Sequence, residues 1–227
     1  MAQRKTSRSP LMALQFIYRL GLLLSLSIAV IVISNLGTVA ACCVARVRMT
    51  KIAFFLGKPV FTFATPLCPV CIGYNPLGGY VEMDMTAFPK HTRFVRCLVA
   101  IAGPLTIFML ASVILNFGRT SSLFLTGFSQ LAHGALSPTA YAKPLISRFF
   151  QIASQAPLVG FGILAAKSAT ASMIPFPVLP GGRFLVELLN IHHENKRLQG
   201  IQTLCFLITV PVMFAWGYAI IRCLFAA

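Results

Sequence analysis

Long apolar stretches alternate with short polar segments along this chain. Four stretches are long and mostly apolar, at about 20–43, 97–117, 154–174 and 200–222. A helix of roughly 20 apolar residues can cross the hydrocarbon core of a bilayer, so each stretch predicts a transmembrane helix. The composition agrees, since 57% of the residues are hydrophobic and only 10% are charged. The predicted fold is an all-α polytopic membrane protein with about four transmembrane helices.

The segment between the first two apolar stretches has a different pattern. Residues 51–65 and 77–85 are short runs rich in Phe, Val and Tyr, and the stretch 66–76 between them is rich in Pro. These features predict two strands joined by a turn. Such runs are too short to cross a membrane, and unpaired backbone groups cannot face lipid. We therefore predict a membrane-associated β-hairpin over about 51–85.

The remaining segments indicate no second domain. Residues 1–19 form a basic N-terminal segment, and residues 20–227 are assigned to one membrane domain. The stretch 118–153 mixes Ser, Thr, Gly and Pro with Phe and Leu. It predicts a loop with a short interfacial helix around 142–150. The loop as a whole is too short to contain a PDZ domain. In an alternative topology, residues 11–43 cross the membrane twice. The orientation of all later segments in the membrane would then be inverted.

The chain is strongly basic, with nineteen Lys and Arg against four acids and a formal net charge of +15. The positive-inside rule accounts for most of this excess in a membrane protein, so nucleic acid is not an expected partner. The side that holds 44–96 and 183–199 carries the larger share of basic residues, which favours a cytoplasmic location for it. We expect a bacterial cytoplasmic membrane. A start rich in Arg, Lys and Ser also fits an organellar membrane.

Five groups of short motifs occur in order along the chain. They are Ala45-Arg46 with Gly57-Lys58-Pro59, Pro-Leu-Gly-Gly-Tyr-Val at 76–81, Ala-Gly-Pro-Leu at 102–105, Pro-Phe-Pro-Val-Leu-Pro-Gly-Gly-Arg at 175–183 and Arg-Leu-Gln-Gly at 197–200. Together they resemble the site-2 protease family of intramembrane zinc proteases. The resemblance extends from about residue 30 to the C-terminus.

The resemblance ends at the residues that carry the family's chemistry. That family holds zinc with two His in His-Glu-x-x-His and with the Asp before Gly-Gly, and the matching positions here are Ser34, Thr38 and Pro180. Asn35 stands where the family has its general base. A hydroxyl is a poor zinc ligand, a proline side chain offers none, and an amide accepts no proton from water at neutral pH. We therefore predict a pseudoprotease with no catalytic residues and no cofactor, in which the hydroxyls bond back onto their own helix.

Cysteine and histidine residues leave a metal-dependent alternative open. An active intramembrane metalloprotease would have an unorthodox metal site built from Cys42, Cys68 and Cys71, or from the adjacent His192 and His193. Cys68 and Cys71 also have the spacing of a redox pair. The opposing interpretation is that the thiols pack as small hydrophobic groups.

A binding hypothesis follows from the segments that do match the family. There, the hairpin and the Pro-x-Pro segment hold an unwinding substrate helix, and main-chain pairing needs a sheet edge rather than a metal. We expect a protein that binds or scaffolds other transmembrane proteins, as a subunit or assembly factor of a complex in contact with membrane lipid. The expected contact residues are Gly78, Gly79, Tyr80 and Val81 on the strand side and Pro175, Phe176 and Pro177 opposite.

Lys167 is a single cation within the third apolar stretch. A charge there is costly in lipid, so we expect its side chain to face the protein interior near the degenerate site. Together with Gly and Pro breaks, it motivates a weaker alternative, a transporter or channel subunit. No inverted repeat is visible in support of that alternative.

Overall fold

The computed structural model describes residues 8–176, 179–190 and 196–225. In chain order, the main elements are α1 (Arg8–Val44), β1 (Met49–Phe63), β2 (Val70–Met83), α2 (Arg93–Leu115), α3 (Phe117–Leu136), α4 (Lys143–Gln155), α5 (Pro157–Ser172), α6 (Pro180–Leu188) and α7 (Lys196–Phe225). Short helices at Phe88–Lys90 and Pro138–Ala142 lie in the connections. The predicted helical membrane fold, with a hairpin between its first two spanning helices, is confirmed.

In the described part of the chain, three helices are long and apolar enough to cross a membrane. The spans are Ala13–Val44 in α1, Arg93–Leu115 in α2 and Thr203–Phe225 in α7. The fourth predicted span, 154–174, forms the 16-residue helix α5. At 1.5 Å per residue α5 is about 24 Å long, less than the roughly 30 Å of a hydrocarbon core. The count of four spanning helices was therefore approximate.

The apolar character of α5 reflects packing against other helices. Ala165, Ala166 and Ala169 are fully buried, and they belong to a core cluster with Ile107 of α2 and Val30 of α1. Small side chains on one helix let neighbouring backbones approach closely, which membrane bundles need. Hydropathy alone does not distinguish a helix buried among helices from one that faces lipid.

Residues 11–43 lie within one continuous helix, so the alternative of two crossings in this stretch does not hold. α1 has 37 residues and no break. It is about 55 Å long at 1.5 Å per residue, which exceeds the thickness of a hydrocarbon core. Arg19 donates from Nη1 to the carbonyl oxygen of Cys223 at 3.2 Å, which joins the first half of α1 to the end of α7.

The stretch 118–153, predicted as a mixed loop, contains the 20-residue helix α3. The predicted short helix around 142–150 is present as α4. The Ser and Thr side chains of α3 look loop-like in the sequence, but Thr120 and Thr126 donate back to the carbonyl oxygens of Asn116 and Ser122. Hydroxyls satisfied in this way are compatible with a helix. Asn116 itself has φ 67° and accepts from the Arg119 N–H at 3.0 Å, which separates α2 from α3.

The helices α1 and α2 cross in close contact at two glycines. A Cβ at Gly37 would overlap with the side chain of Thr106. A Cβ at Gly103 would lie 2.7 Å from Ser34 Oγ and 2.9 Å from Thr38 Oγ1. Glycine is therefore required on both helices for this separation, as in other close membrane-helix pairs.

The hairpin consists of β1 and β2, which pair antiparallel. β1 bends at Phe55, with φ 72°, and at Gly57, with φ 94°. Because of the bend, residues 52–54 have Cα partners in 79–81 on one side and in 70–72 on the other. The second half of β2 therefore lies at the margin of the sheet, with β1 on one side and no further strand among the described residues on the other.

An ion pair joins α6 to α2. Arg96 Nη1 lies 2.8 Å from Glu187 Oε2, and the two side chains are only 15% and 9% exposed. Arg96 also donates from Nη2 to Asn190 Oδ1 at 2.9 Å. Charge-assisted contacts of this kind have strict geometry, so they hold the short helix α6 in one orientation.

We expect Glu187→Gln to lower the apparent free energy of unfolding by about 3 kcal/mol, because it leaves the Arg96 guanidinium charged and largely buried. The measurement is thermal unfolding of the purified protein in a mild neutral detergent. The control is Arg48→Gln, which breaks a 3.9 Å pair with Asp84 in which the Arg48 side chain is 79% exposed. That variant should lose less than about 1 kcal/mol. Equal losses in the two variants would contradict the prediction.

Candidate functional site

A cavity of about 510 Å³, here called the central cavity, lies between α1, α2, β2, α5 and α6. Ser34, Asn35 and Thr38 of α1 line it, and Pro180 at the start of α6 lines it as well. Pro180 is far from the three α1 residues in the sequence, yet all four positions at which the sequence predicts altered chemistry line this one cavity. The four predicted contact residues of the hairpin, Gly78 to Val81, line the same cavity.

Asn35, predicted from the sequence to stand at the general-base position, is a buried link between α1 and the hairpin. Its side chain is 7% exposed, and Nδ2 donates to the carbonyl oxygen of Ala53 in β1 at 3.3 Å. A Cβ at Gly79 would overlap with the Asn35 amide and would lie 2.7 Å from the Ala53 oxygen. Glycine at 79 therefore leaves room for this hydrogen bond.

Two residues predicted at zinc-ligand positions, Thr38 and Pro180, take part in helix structure. Thr38 Oγ1 donates to the carbonyl oxygen of Ser34 at 3.3 Å, which confirms the predicted back-bond for Thr38. Pro180 is the first residue of α6. Proline suits this position because its φ is preset and its missing N–H has no helical acceptor.

The donor set of the central cavity does not suit zinc. Catalytic zinc sites use His, Cys, Asp or Glu side chains as ligands. None of the described residues that line the cavity is one of these four types, and Arg183 is the one charged residue among them. Hydroxyl, amide and proline side chains at Ser34, Asn35, Thr38 and Pro180 provide no adequate set.

The cysteine alternative has only partial geometric support. Cys42 and Cys68 are buried in one apolar cluster with Val47 and Met49. Cys71 is also buried, and its Sγ lies 3.6 Å from Thr62 Oγ1. Within the described ranges, no three His, Cys, Asp or Glu side chains are grouped so that they could hold a metal. His192 and His193 lie outside the described residues.

The wall opposite the hairpin differs from the predicted one. Pro175 is exposed and Phe176 is half-buried, but neither lines the central cavity, and Pro177 lies outside the described residues. Ser168 and Ser172 of α5 line that wall instead, together with Leu179 and Arg183. The two serines were missed. Their spacing of four residues, which places them on one helical face, was the available signal.

Lys167 faces α3 rather than the central cavity. Its Nζ donates to the carbonyl oxygen of Leu123 at 2.6 Å and to Thr126 Oγ1 at 3.2 Å. One turn further along α5, Thr170 Oγ1 donates to the carbonyl oxygen of Phe124 at 2.9 Å. The expected interior orientation is present, but Lys167 contributes no charge to the degenerate site.

Comparison with protein families gives one match to this chain. The sequence model described as peptidase family M50 matches residues 21–216, which include residues 21–44 of α1, the hairpin and most of α7. All residues of the central cavity lie within the matched range. A search of curated proteins found no match.

The burial of the Cys68 thiol predicts a pH-dependent reactivity. Burial raises the pKa of this thiol, so the reactive thiolate is scarce at neutral pH. In a variant that keeps Cys68 as its only cysteine, we expect slow alkylation at pH 7 that accelerates about tenfold per pH unit up to the raised pKa. The measurement is the rate of iodoacetamide labelling by mass spectrometry, with a Cys43-only variant as the exposed control. Fast alkylation at pH 7 that does not depend on pH would indicate a thiolate and contradict the prediction.

Proposed function

This chain belongs to peptidase family M50, the site-2 protease family, and we propose that it is a member without peptidase activity that binds segments of other membrane proteins. The observation that carries the proposal is the lining of the central cavity. The positions that perform the family's chemistry meet there, but they carry Ser34, Asn35, Thr38 and Pro180. A family scaffold is thus retained around a cavity without acid, base or metal ligands among its described lining residues.

The absence of hydrolysis follows from proton and charge requirements. Peptide hydrolysis by this family's chemistry needs a water with a lowered pKa and a base that takes its proton. Asn35 cannot take that proton, and its amide is already engaged with the Ala53 carbonyl. A guanidinium offers hydrogen-bond donors and no acceptor, so Arg183 does not act as a base.

Binding is supported by the position of β2 at the margin of the sheet. Residues 79–83 pair with β1 on one side, and Gly79, Tyr80, Val81 and Met83 line the central cavity. An extended segment in the cavity would lie next to this strand and could add to it by main-chain hydrogen bonds.

Small polar groups on the other walls suit an unwound backbone. Ser34 and Thr38 lie on α1, Ser168 and Ser172 lie on α5, and Arg183 lies on α6. A segment that leaves its helix inside a membrane exposes N–H and C=O groups, which are costly unless they find partners. Hydroxyls and a guanidinium supply such partners without a metal.

The proposed biological setting is a membrane complex. Three apolar helices and the family membership indicate a membrane protein. We propose a role as subunit or assembly factor of a membrane complex, in a bacterial cytoplasmic membrane or an organellar one.

The alternative function is an active metalloprotease with zinc on Cys42, Cys68 and Cys71. The shared cluster of Cys42 and Cys68 is the observation in its favour.

Site-specific photocrosslinking distinguishes a cavity-bound partner from surface contacts. We expect a photoreactive residue at Tyr80, which lines the cavity and is 43% exposed, to give a discrete adduct with a membrane protein that co-purifies in mild detergent. The matched control is Tyr74, on the same strand, 68% exposed and outside the cavity, which should give no such adduct. Identical adducts at both positions, or none at Tyr80, would refute cavity binding.

Elemental analysis tests the absence of a zinc centre. We expect purified protein to contain well below one zinc per chain, because the described cavity lining lacks zinc ligands. A zinc content near one per chain that disappears in the double variant Cys68→Ser and Cys71→Ser would support the metalloprotease alternative. The free energy of unfolding of the same double variant should lie within about 2 kcal/mol of that of the parent protein, as expected for buried small side chains.

A further inference from the structure

A second cavity, here called the lateral cavity, lies on the other side of α5 and has a volume of about 450 Å³. Its walls come from α3, α4 and α5, with Leu23 of α1 and Trp216 and Ile220 of α7. Ser168 lines both cavities, so α5 is the wall between them. Small-molecule sites are typically about 300–1,000 Å³ and mostly apolar, a range that includes this cavity.

Most of the lateral cavity is lined by aliphatic and aromatic side chains. Leu123 and Leu131 of α3 face Ile163 and Leu164 of α5 across it. Trp216 is fixed in place because its Nε1 donates to the carbonyl oxygen of Leu131 at 3.1 Å. These surfaces match a hydrocarbon chain rather than a polar metabolite.

Three cations line the same cavity without an acid among the described lining residues. They are Arg119 at the start of α3, Arg148 in α4 and Lys167 in α5. The described acids, Glu82, Asp84 and Glu187, lie in β2, in the segment after it and in α6, and none of them lines this cavity. The cavity therefore combines an apolar interior with an excess of positive charge.

The positions of the three cations suggest how a bound molecule would be oriented in the lateral cavity. Arg119 and Arg148 are exposed, whereas Lys167 is half-buried and donates to the Leu123 carbonyl and to Thr126. An ammonium group has three N–H donors, and these contacts use two of them. A carbonyl and a hydroxyl do not neutralise the charge, which is costly at membrane depth. An anionic group at the exposed arginines of the same cavity would offset this charge at longer range.

We infer that the lateral cavity binds an anionic phospholipid of the surrounding membrane, with its phosphate at Arg119 and Arg148 and one acyl chain in the apolar interior. Basic pockets between membrane helices bind anionic headgroups by this combination of contacts. The bound lipid links α3 and α4 to α5 and thereby supports one wall of the central cavity. The inference is independent of the proposed function, because it involves no residue of the degenerate site.

The test uses the full chain, delipidated in a neutral detergent, with added phosphatidylglycerol or phosphatidylcholine of identical acyl chains. We expect native mass spectrometry to show retention of phosphatidylglycerol, and thermal unfolding to shift upward with that lipid only. The double variant Arg119→Gln and Arg148→Gln should bind it about thirtyfold more weakly, since each basic residue near an anionic headgroup contributes about fivefold. Arg119→Lys with Arg148→Lys keeps the charge and should retain most of the binding.

The matched control is Arg46→Gln with Arg48→Gln, two exposed arginines in the connection between α1 and β1. This variant has the same net charge as the Gln double variant and should bind the lipid like the parent protein. Equal weakening in both double variants would overturn the inference, because the lipid would then respond to overall charge. Equal binding of phosphatidylcholine would overturn it, as would full stabilisation by oleate or inorganic phosphate alone.

Discussion

The close contact between α1 and α2 is the constraint on which the central cavity depends. Gly37 and Gly103 let the two helices approach until Ser34 and Thr38 touch the backbone of α2. This contact leaves Asn35 directed at the hairpin, where it bonds to Ala53. The hairpin, α5 and α6 then form the remaining walls around the face of α1 that holds these positions. A larger side chain at either glycine would separate the helices and change the cavity.

The residues predicted at the family's chemical positions take part in packing and hydrogen bonding. A metal site requires lone pairs directed at one point, whereas Thr38 bonds back to its own helix and Pro180 starts another. Asn35 replaces an ionisable group by an amide that is satisfied by a backbone carbonyl. Buried polar groups must have partners, and here the partners come from the protein itself. The fold therefore retains its cavity without needing an ion to compensate buried charge.

Polar groups also hold the outer helices, which the sequence pattern described least well. Lys167 and Thr170 donate to carbonyl oxygens of α3, and Trp216 of α7 donates to another carbonyl of the same helix. α3 was predicted as a loop because Ser and Thr are frequent in it, and hydropathy does not record whether a hydroxyl bonds to its own helix. α5 was predicted as a full span because its alanines are apolar, although they contact other helices.

The sequence by itself determined the membrane class, the helices α1, α2 and α7, the hairpin and the family resemblance, because span length, strand-forming runs and ordered motifs are local properties of the chain. It also predicted which residues stand at the four chemical positions. Only the tertiary structure decided that Ser168, Ser172 and Arg183 share the central cavity with them, that Pro175 and Phe176 do not, and that Lys167 faces α3. The physical reason is that a cavity wall is made by helices distant in sequence, whose orientation depends on glycine contacts and on the Arg96–Glu187 pair rather than on local periodicity.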